Sequence, residues 1–190
     1  MTEREKMLSG ANYNSRDSEL LEQYYYARKL LKQYNEMEAN LFIERQNILK
    51  GLFEHIGNNV WIEAPFFCDY GDNISIGKGT FINMNCILLD NNKISIGENV
   101  LIAPHVQIYT ASHPLKASER IVENRKGASY LTSSKPVSIG SNVWIGGNSV
   151  ICPGVTIGDN VTIGAGSVVT KSVPSDVLAY GNPCQIIKKI

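Results

Sequence analysis

A six-residue repeat runs without interruption through residues 137–172, which read VSIGSN VWIGGN SVICPG VTIGDN VTIGAG SVVTKS. The third place of each hexad is apolar and mostly β-branched, and the fourth is usually glycine. This period matches neither an α-helix, with about 3.6 residues per turn, nor an alternating strand. It is typical of a β-solenoid in which each hexad forms one strand and one corner, and three hexads close a triangular coil. We therefore expect the third place to point into the prism.

The same inward places can be followed back towards the N-terminus. They form five triplets, which predict about five coils. The triplets are Ile56, Ile62 and Cys68; Ile76, Ile82 and Leu88; Ile96, Ile102 and Ile108; Ile139, Ile145 and Ile151; and Ile157, Ile163 and Val169.

The repeat is broken at places that all follow the third side of a coil. Two small bulges are expected around residues 69–73 and 90–93, and a long loop at about 110–135. Stacked coils bring these insertions to one edge, and insertions on one face of a solenoid often mark the binding face. The polar residues of this edge are Asp69, Asp72, Asp90, Asn91 and His113. Ordinary turn chemistry also explains each Asp or Asn taken alone.

Residues 1–54 have helical rather than hexad periodicity. Thr2 and Glu5 have capping-box spacing and Gly10 ends the first helix, over residues 2–9. A second helix is expected from about Asp17, and a third from about Glu38 to Phe53. We expect this region to cap the open end of the solenoid, and it could also wall one side of a cleft. The predicted division is a helical region, 1–54, and a solenoid domain with the loop and a tail, 55–190.

Charge and composition exclude several classes of protein. Lys plus Arg and Asp plus Glu both number 18, so nothing indicates a nucleic-acid partner or an anionic membrane. No apolar run is long enough for a bilayer span and the N-terminus has no signal-peptide core, which favours the cytosol. The spacing of the four cysteines suggests neither zinc nor disulfides, and Cys68 and Cys152 are expected to be buried in the solenoid.

The candidate base is His113, in the segment Tyr109–Pro114 at the root of the long loop. Pro114 restricts the residue before it to an extended conformation. A histidine fixed at the edge of a cleft can act as a general base near neutral pH.

The hexad pattern also predicts which side chains lie on the outside of the prism. Trp144 lies one place before an inward isoleucine and should point outwards. We also expect Val143, Val155 and Val161 to form an outward apolar surface that packs in a trimer.

The chain resembles the maltose and galactoside O-acetyltransferases, which are hexapeptide-repeat acyltransferases. The matching stretches include EKMLSGANY, CDYGDNISIG, FINMNC, IGENVLIAPHVQIYTASHP, residues 136–174 and GNPCQIIKK. The resemblance implies a mainly β protein, built as a left-handed parallel β-helix with an N-terminal helical region and a protruding loop. It also implies a homotrimer that binds acetyl-CoA between neighbouring subunits and acetylates a sugar hydroxyl, with no metal.

The resemblance also implies roles for individual residues. His113 is the general base, and the backbone N–H of Gly147 is the oxyanion donor. The acceptor positions are Asp69 and Asn83, together with Asn91 or its neighbour Asp90. The positions that contact CoA are Gly147, Ala165, Thr170, Lys171 and Lys188, while Trp144 flanks the cofactor groove or packs between subunits. The chain departs from the family at Ser15 and Asn91, where the family has acidic residues, and at Gln185, where it has arginine.

Other functions stay open from the sequence. The acceptor could be another small hydroxyl or amine compound, such as an antibiotic or an amino acid. A zinc carbonic anhydrase on the same fold would need converging histidines, and the chain has three, His55, His105 and His113. A scaffold that has lost its chemistry is the third possibility.

Overall fold

The chain begins with three helices that precede the β-structure. In the computed structural model, which describes residues 1–122 and 127–190, α1 spans Glu3–Ser9, α2 Ser18–Glu36 and α3 Phe42–Leu52, and a short α4, Ala117–Arg120, lies in the long loop. The predicted capping box at Thr2 and Glu5 and the left-handed Gly10 cap are confirmed. The predicted start of the third helix at Glu38 is wrong, because α3 begins only at Phe42, after the Leu41 cap.

The β-structure is a parallel β-helix with three faces. Face A contains β1, β4, β7, β12 and β15; face B contains β2, β5, β8, β13, β16, β18 and β19; face C contains β3, β6, β9, β14 and β17. A separate antiparallel pair, β10 and β11, lies in the long loop. The strands are β1 His55–Ile56, β2 Trp61–Ile62, β3 Phe66–Cys68, β4 Ile74–Ile76, β5 Phe81–Ile82, β6 Cys86–Leu89, β7 Ile94–Ile96, β8 Leu101–Ile102, β9 Gln107–Tyr109, β10 Ala111–Ser112, β11 Ser133–Ser134, β12 Val137–Ile139, β13 Trp144–Ile145, β14 Val150–Ile151, β15 Thr156–Ile157, β16 Thr162–Ile163, β17 Val168–Val169, β18 Val177–Tyr180 and β19 Gln185–Lys189.

The register confirms the predicted inward places. On face B, Ile145 pairs with Ile102 below and Ile163 above, and its side chain is fully buried. The solenoid continues one partial coil beyond the prediction, since Val173 pairs with Ile157, and Ala179 of β18 with Ile163. The structure therefore has about six turns rather than about five. The last turn is absent from the hexad pattern because the chain changes to Val173-Pro174 there.

Val143, Val155 and Val161 are not on the outer surface, and this expectation was wrong. Their exposed fractions are 1%, 2% and 0%, so they belong to the core. Each lies two residues before an inward isoleucine, and residues two apart point to the same side of an extended chain. The apolar outer surface lies instead on face B. Its successive strands place Trp61 beside Phe81, Phe81 beside Leu101 and Leu101 beside Trp144.

The three faces meet at three edges. The asparagine edge, between faces A and B, carries left-handed Asn59, Asn99, Asn142 and Asn160. The glycine edge, between faces B and C, contains residues 83–85, 103–105, 146–148 and 164–166. The insertion edge, between faces C and A, contains both bulges, the long loop and residues 170–172. At the glycine edge a Cβ on Gly146 would lie 2.4 Å from the Ala165 nitrogen, so only glycine fits there.

The helical region closes the first coil, as expected. Ala27, Leu31 and Tyr34 of α2 and Leu49 and Leu52 of α3 belong to the same buried cluster as the solenoid core. The Tyr34 hydroxyl and the Arg45 guanidinium both donate to the carbonyl of Ile62, at 2.5 and 3.2 Å. These bonds satisfy the Ile62 carbonyl oxygen, which has no partner strand because no coil lies beneath the first one. Among the described residues, no helix is long and apolar enough to cross a bilayer.

Candidate active site

A cavity of about 380 Å³ lies at the insertion edge, between the solenoid, the long loop and the helical region. The solenoid contributes Asp69 and Tyr70 from the first bulge and Asn91 from the second. The long loop contributes His113, Tyr130 and Thr132. The helical region contributes Tyr13, Ser15, Arg16, Leu21, Tyr24 and Tyr25. The insertion edge that the repeat predicted is therefore the wall of a real cavity.

His113 is held by one strong bond at the mouth of this cavity. Its Nδ1 lies 2.7 Å from the carbonyl oxygen of Leu131, on the returning limb of the loop. A carbonyl can only accept, so in the neutral ring Nδ1 carries the hydrogen and Nε2 keeps its lone pair. The Tyr130 ring meets the imidazole edge to face, with 5.5 Å between ring centroids. The imidazole is therefore held in one orientation, and the lone pair on Nε2 can accept a proton.

The root of the loop is fixed to the solenoid and to the N-terminal segment. The β10–β11 pair joins its two limbs, and buried Thr110 donates its hydroxyl to the Leu89 carbonyl at 2.7 Å. The Tyr13 N–H donates to the Thr132 carbonyl at 3.0 Å, and the Ser134 hydroxyl donates to the Met7 carbonyl at 2.6 Å. These bonds bring Tyr13 and Ser15 to the cavity, so the helical region walls the site as well as capping the solenoid.

Asp69 lies in the cavity wall and is paired with α2. Arg28 Nη2 is 3.2 Å from Asp69 Oδ1, and the guanidinium lies over the Tyr24 ring at 4.5 Å. Burial raises the pKa of Asp69, and the neighbouring Arg28 partly offsets this effect. The pair ties the first bulge to the helix that forms the opposite wall.

The adjacent residues Asp90 and Asn91 have different environments. Asn91 lines the cavity and is 8% exposed, whereas Asp90 is fully buried and outside the lining. The Asp90 carboxylate accepts bonds from the N–H groups of Asp69 and Tyr70, both at 2.9 Å. A direct contact between acceptor and Asp90 does not fit this burial, so of the two candidates Asn91 is the one that faces the cavity.

Asn91 lies close enough to interact with the Tyr13 hydroxyl, and Ser15 with the Tyr130 hydroxyl. Several buried polar atoms of the cavity nevertheless make no hydrogen bond of good geometry among the described residues. They are Tyr13 Oη, Ser15 Oγ, Asn91 Oδ1 and Thr132 Oγ1. Buried polar groups are normally hydrogen-bonded, and leaving one unpaired costs about 1–3 kcal/mol. All four groups are uncharged, so together they could bind a neutral ligand that carries hydroxyl groups.

The glycine edge carries a second group of candidates. Asn83, Gly147 and Ala165 lie there, on the second, fourth and fifth coils. The Gly147 carbonyl accepts the Gly166 N–H at 2.8 Å, but among the described residues no acceptor is found for the Gly147 N–H itself. An unpaired backbone N–H is the kind of group that an oxyanion hole uses.

The remaining cofactor candidates are spread over other parts of the prism. Thr170 and Lys171 lie on the insertion edge after the fifth coil, while Trp144 and Lys188 lie on face B. Trp144 points outwards, as predicted, and is 54% exposed. A single chain therefore does not gather the candidate CoA residues into one groove, and Asn83 does not reach the cavity that contains Asp69.

Sequence reasoning missed most of the cavity's aromatic wall. Tyr13, Tyr24, Tyr25 and Tyr130 were not proposed as site residues, although the run Tyr24-Tyr25-Tyr26 was visible. Three consecutive tyrosines on a helix cannot all face the core, and Tyr25 is 63% exposed. This pattern was an available signal of a surface role.

No cluster of His, Cys, Asp or Glu that could hold a metal occurs in residues 1–122 and 127–190. The three histidines lie on different parts of the prism: His55 on face A, His105 on the glycine edge and His113 on the insertion edge. All four cysteines are free thiols. Cys68 is buried as expected, whereas Cys152 is only half-buried.

Two family patterns match different parts of the chain. Residues 136–171 match the family described as bacterial transferase hexapeptide (six repeats). Residues 6–57 match the maltose acetyltransferase hexapeptide capping motif, which covers the region found here to close the first coil.

Related proteins match almost the whole chain. The galactoside O-acetyltransferase of Escherichia coli is 38% identical over 98% of this chain and 88% of its own. A maltose O-acetyltransferase from Clostridium difficile superposes with a TM-score of 0.94 at 48% identity, covering 100% of this chain and 98% of its own. A hexapeptide-repeat acetyltransferase from Vibrio cholerae, complexed with acetyl coenzyme A, gives 0.88 at 40% identity over 100% and 98%. The chain therefore belongs to the maltose and galactoside O-acetyltransferase family of hexapeptide-repeat acetyltransferases.

Proposed function

We propose that the protein transfers the acetyl group of acetyl-CoA to a hydroxyl of a sugar such as maltose, glucose or a galactoside. The observation that carries this proposal is the oriented His113, whose Nδ1 is bonded to the Leu131 carbonyl and which lines a cavity rich in polar groups. The complex of the Vibrio cholerae relative with acetyl-CoA supports the choice of donor. We also propose a cytoplasmic location and a division of the chain near residue 54.

The mechanism follows from the position of the imidazole. A sugar hydroxyl has too high a pKa to ionise at neutral pH, so its proton must leave as the oxygen attacks the thioester. Nε2 of His113 takes this proton, while the Leu131 carbonyl holds the Nδ1–H and stabilises the imidazolium that forms. The acetyl group passes directly to the sugar, and the CoA thiolate leaves with a proton returned from the ring.

The tetrahedral oxyanion requires a donor, for which we propose the backbone N–H of Gly147. This N–H is unpaired within the described chain and lies on an accessible corner. Ala165, one coil above, is small and exposed, which would let a pantetheine arm approach the backbone. Lys171 and Lys188 would meet the phosphates as point charges.

We propose that the complete site forms between copies of the chain in a homotrimer. His113, Asp69 and Asn91 lie on the insertion edge, whereas Asn83, Gly147 and Ala165 lie on the glycine edge. The insertion edge of one copy would face the glycine edge of the next, and such a heterologous contact closes a ring. The outward residues Trp61, Leu101 and Trp144, exposed by 42%, 50% and 54%, provide an apolar surface for this contact.

A mixture of two inactive variants tests the shared site. We expect His113→Ala and Gly147→Pro to be inactive alone, because one lacks the base and the other the oxyanion donor. Refolded together in equal amounts, they should regain activity in about a quarter of the sites, where each neighbour supplies the intact half. Failure to regain activity, or a monomer in light scattering that keeps full activity on dilution, would place both halves within one chain.

Asn91 is expected to tune the acceptor rather than the donor. Asn91→Asp places a negative charge beside Asp69, so we expect the KM for the sugar to change while the KM for acetyl-CoA stays the same. Steady-state kinetics with each substrate varied in turn would measure this. Equal changes in both constants would place Asn91 outside the acceptor pocket.

The proposed function itself is tested by an acceptor screen. Purified protein is incubated with acetyl-CoA and a panel of sugars, amino sugars, amino acids and antibiotics, and release of the free thiol is followed. Turnover with neutral sugars supports the proposal. Turnover with amines alone would instead support an amine acceptor, such as an antibiotic or an amino acid. No observation on the described residues favours a zinc enzyme.

A further inference from the structure

Asp90 is a carboxylate buried completely within the second bulge. Its Oδ1 accepts the N–H groups of Asp69 and Tyr70, each at 2.9 Å, and its Oδ2 accepts the N–H of Asn73 at 3.4 Å. The side-chain amide of Asn73 donates to the Asp90 carbonyl at 2.8 Å. One residue of the second coil thus binds the first bulge at several points.

The first bulge needs such support because it must leave face C at Cys68 and rejoin face A at Ile74 within five residues, 69–73. Gly71 has a φ of 78°, and a Cβ there would lie 2.5 Å from the Leu52 side chain. The residues bonded by Asp90 Oδ1, Asp69 and Tyr70, both line the cavity. Their directions therefore depend on the Asp90 carboxylate.

We propose that Asp90 is a positioning residue, whose carboxylate holds the first bulge so that Asp69 and Tyr70 face the acceptor. The proposal rests on the proposed function, since it assigns the cavity to the acceptor. It replaces a direct contact between Asp90 and the sugar, and leaves that contact to Asp69 and Asn91.

The buried charge of Asp90 allows a positioning role to be distinguished from a contribution to the stability of the fold. Burial raises the pKa of Asp90 to about 7, the nearby Asp69 charge acts in the same direction, and the backbone N–H groups oppose it. Arg28 is paired with Asp69, the neighbour of Tyr70 in the first bulge, and not with Asp90. Because the pKa is raised on folding, the stability contribution is present at low pH and is lost as pH rises through about 7. At pH 8, Asp90→Asn removes a buried charge, so its unfolding temperature should not fall.

Kinetics at pH 8 with maltose as acceptor test the proposal. For Asp90→Asn we expect the KM for maltose to rise about tenfold, the factor corresponding to one lost hydrogen bond, with the KM for acetyl-CoA unchanged. The matched control is Asp72→Asn, because Asp72 belongs to the same bulge but pairs with Arg4 at 2.8 Å outside the cavity. It should leave both constants unchanged. Should Asp90→Asn fail to fold, Asn73→Ala weakens the same attachment and should raise the KM for maltose in the same way.

A measurement without substrate distinguishes this proposal from the proposed function. Hydrogen–deuterium exchange of the segment 66–76 should be faster in Asp90→Asn than in the wild type, and unchanged in Asp72→Asn. Unaltered exchange, or equal rises in the KM for maltose and for acetyl-CoA, would overturn the positioning role. If the wild type acetylates no sugar, the proposed function fails, while faster exchange would still support the attachment of the bulge.

Discussion

Replacement of His113 by alanine is expected to lower kcat by about 10²–10⁴-fold, the usual contribution of general acid–base catalysis. His113 lines the cavity, and its Nδ1 lies 2.7 Å from the Leu131 carbonyl oxygen, which leaves the lone pair of the neutral ring on Nε2, so the change removes an oriented base. Acetyl-CoA should bind with nearly wild-type affinity in calorimetry, because the proposed CoA residues lie on the last coils and the tail.

The control is His55→Ala, which removes an exposed histidine on face A, away from the cavity. It should keep the wild-type kcat. If His113→Ala retained most of its turnover, the base would have to be another group. If it lost acetyl-CoA binding as well, His113 would have a structural role at the root of the loop.

Ile163→Ala is expected to reduce the free energy of unfolding by about 2–5 kcal/mol, the range for truncating a buried isoleucine. Ile163 is 1% exposed and lies between Ile145 of the coil below and Ala179 of the coil above. The space it leaves is bounded by stacked backbones that cannot collapse, because neighbouring coils are hydrogen-bonded. Chemical denaturation monitored by circular dichroism measures the loss.

The matched control is Thr162→Ala on the same strand. Thr162 is only partly buried and its side chain points to the opposite side of β16. We expect a change below about 1 kcal/mol, as for surface substitutions away from special features. An Ile163→Ala variant as stable as the control would contradict the assignment of the third place of the hexad to the core.

The sequence determined the solenoid because its rule is local. Each hexad sets one strand and one corner, so the inward places from Ile56 to Val169 were predicted correctly. The capping role of the helical region followed from the need to cover the open end of the core. The same local rule also located the insertion edge, because every break in the period falls after the same side of a coil.

The local rule also showed its limits within the repeat. The hexad rule assigns only the third place to the core, but strand alternation also turns the first place inwards, so Val143 is buried. The final partial coil was missed because Val173 and Ala179 join the sheet by pairing with residues of the preceding coil, without a hexad of their own.

Only the tertiary structure decided which polar residues form the site. Asp90 and Asn91 are neighbours in the chain, yet one carboxylate is buried under the first bulge and the other side chain faces the cavity. Tyr13 reaches that cavity through a backbone bond to Thr132, more than a hundred residues away in the chain. Such contacts depend on how distant segments meet in three dimensions, whereas the hexad period describes only the path of the backbone around the prism.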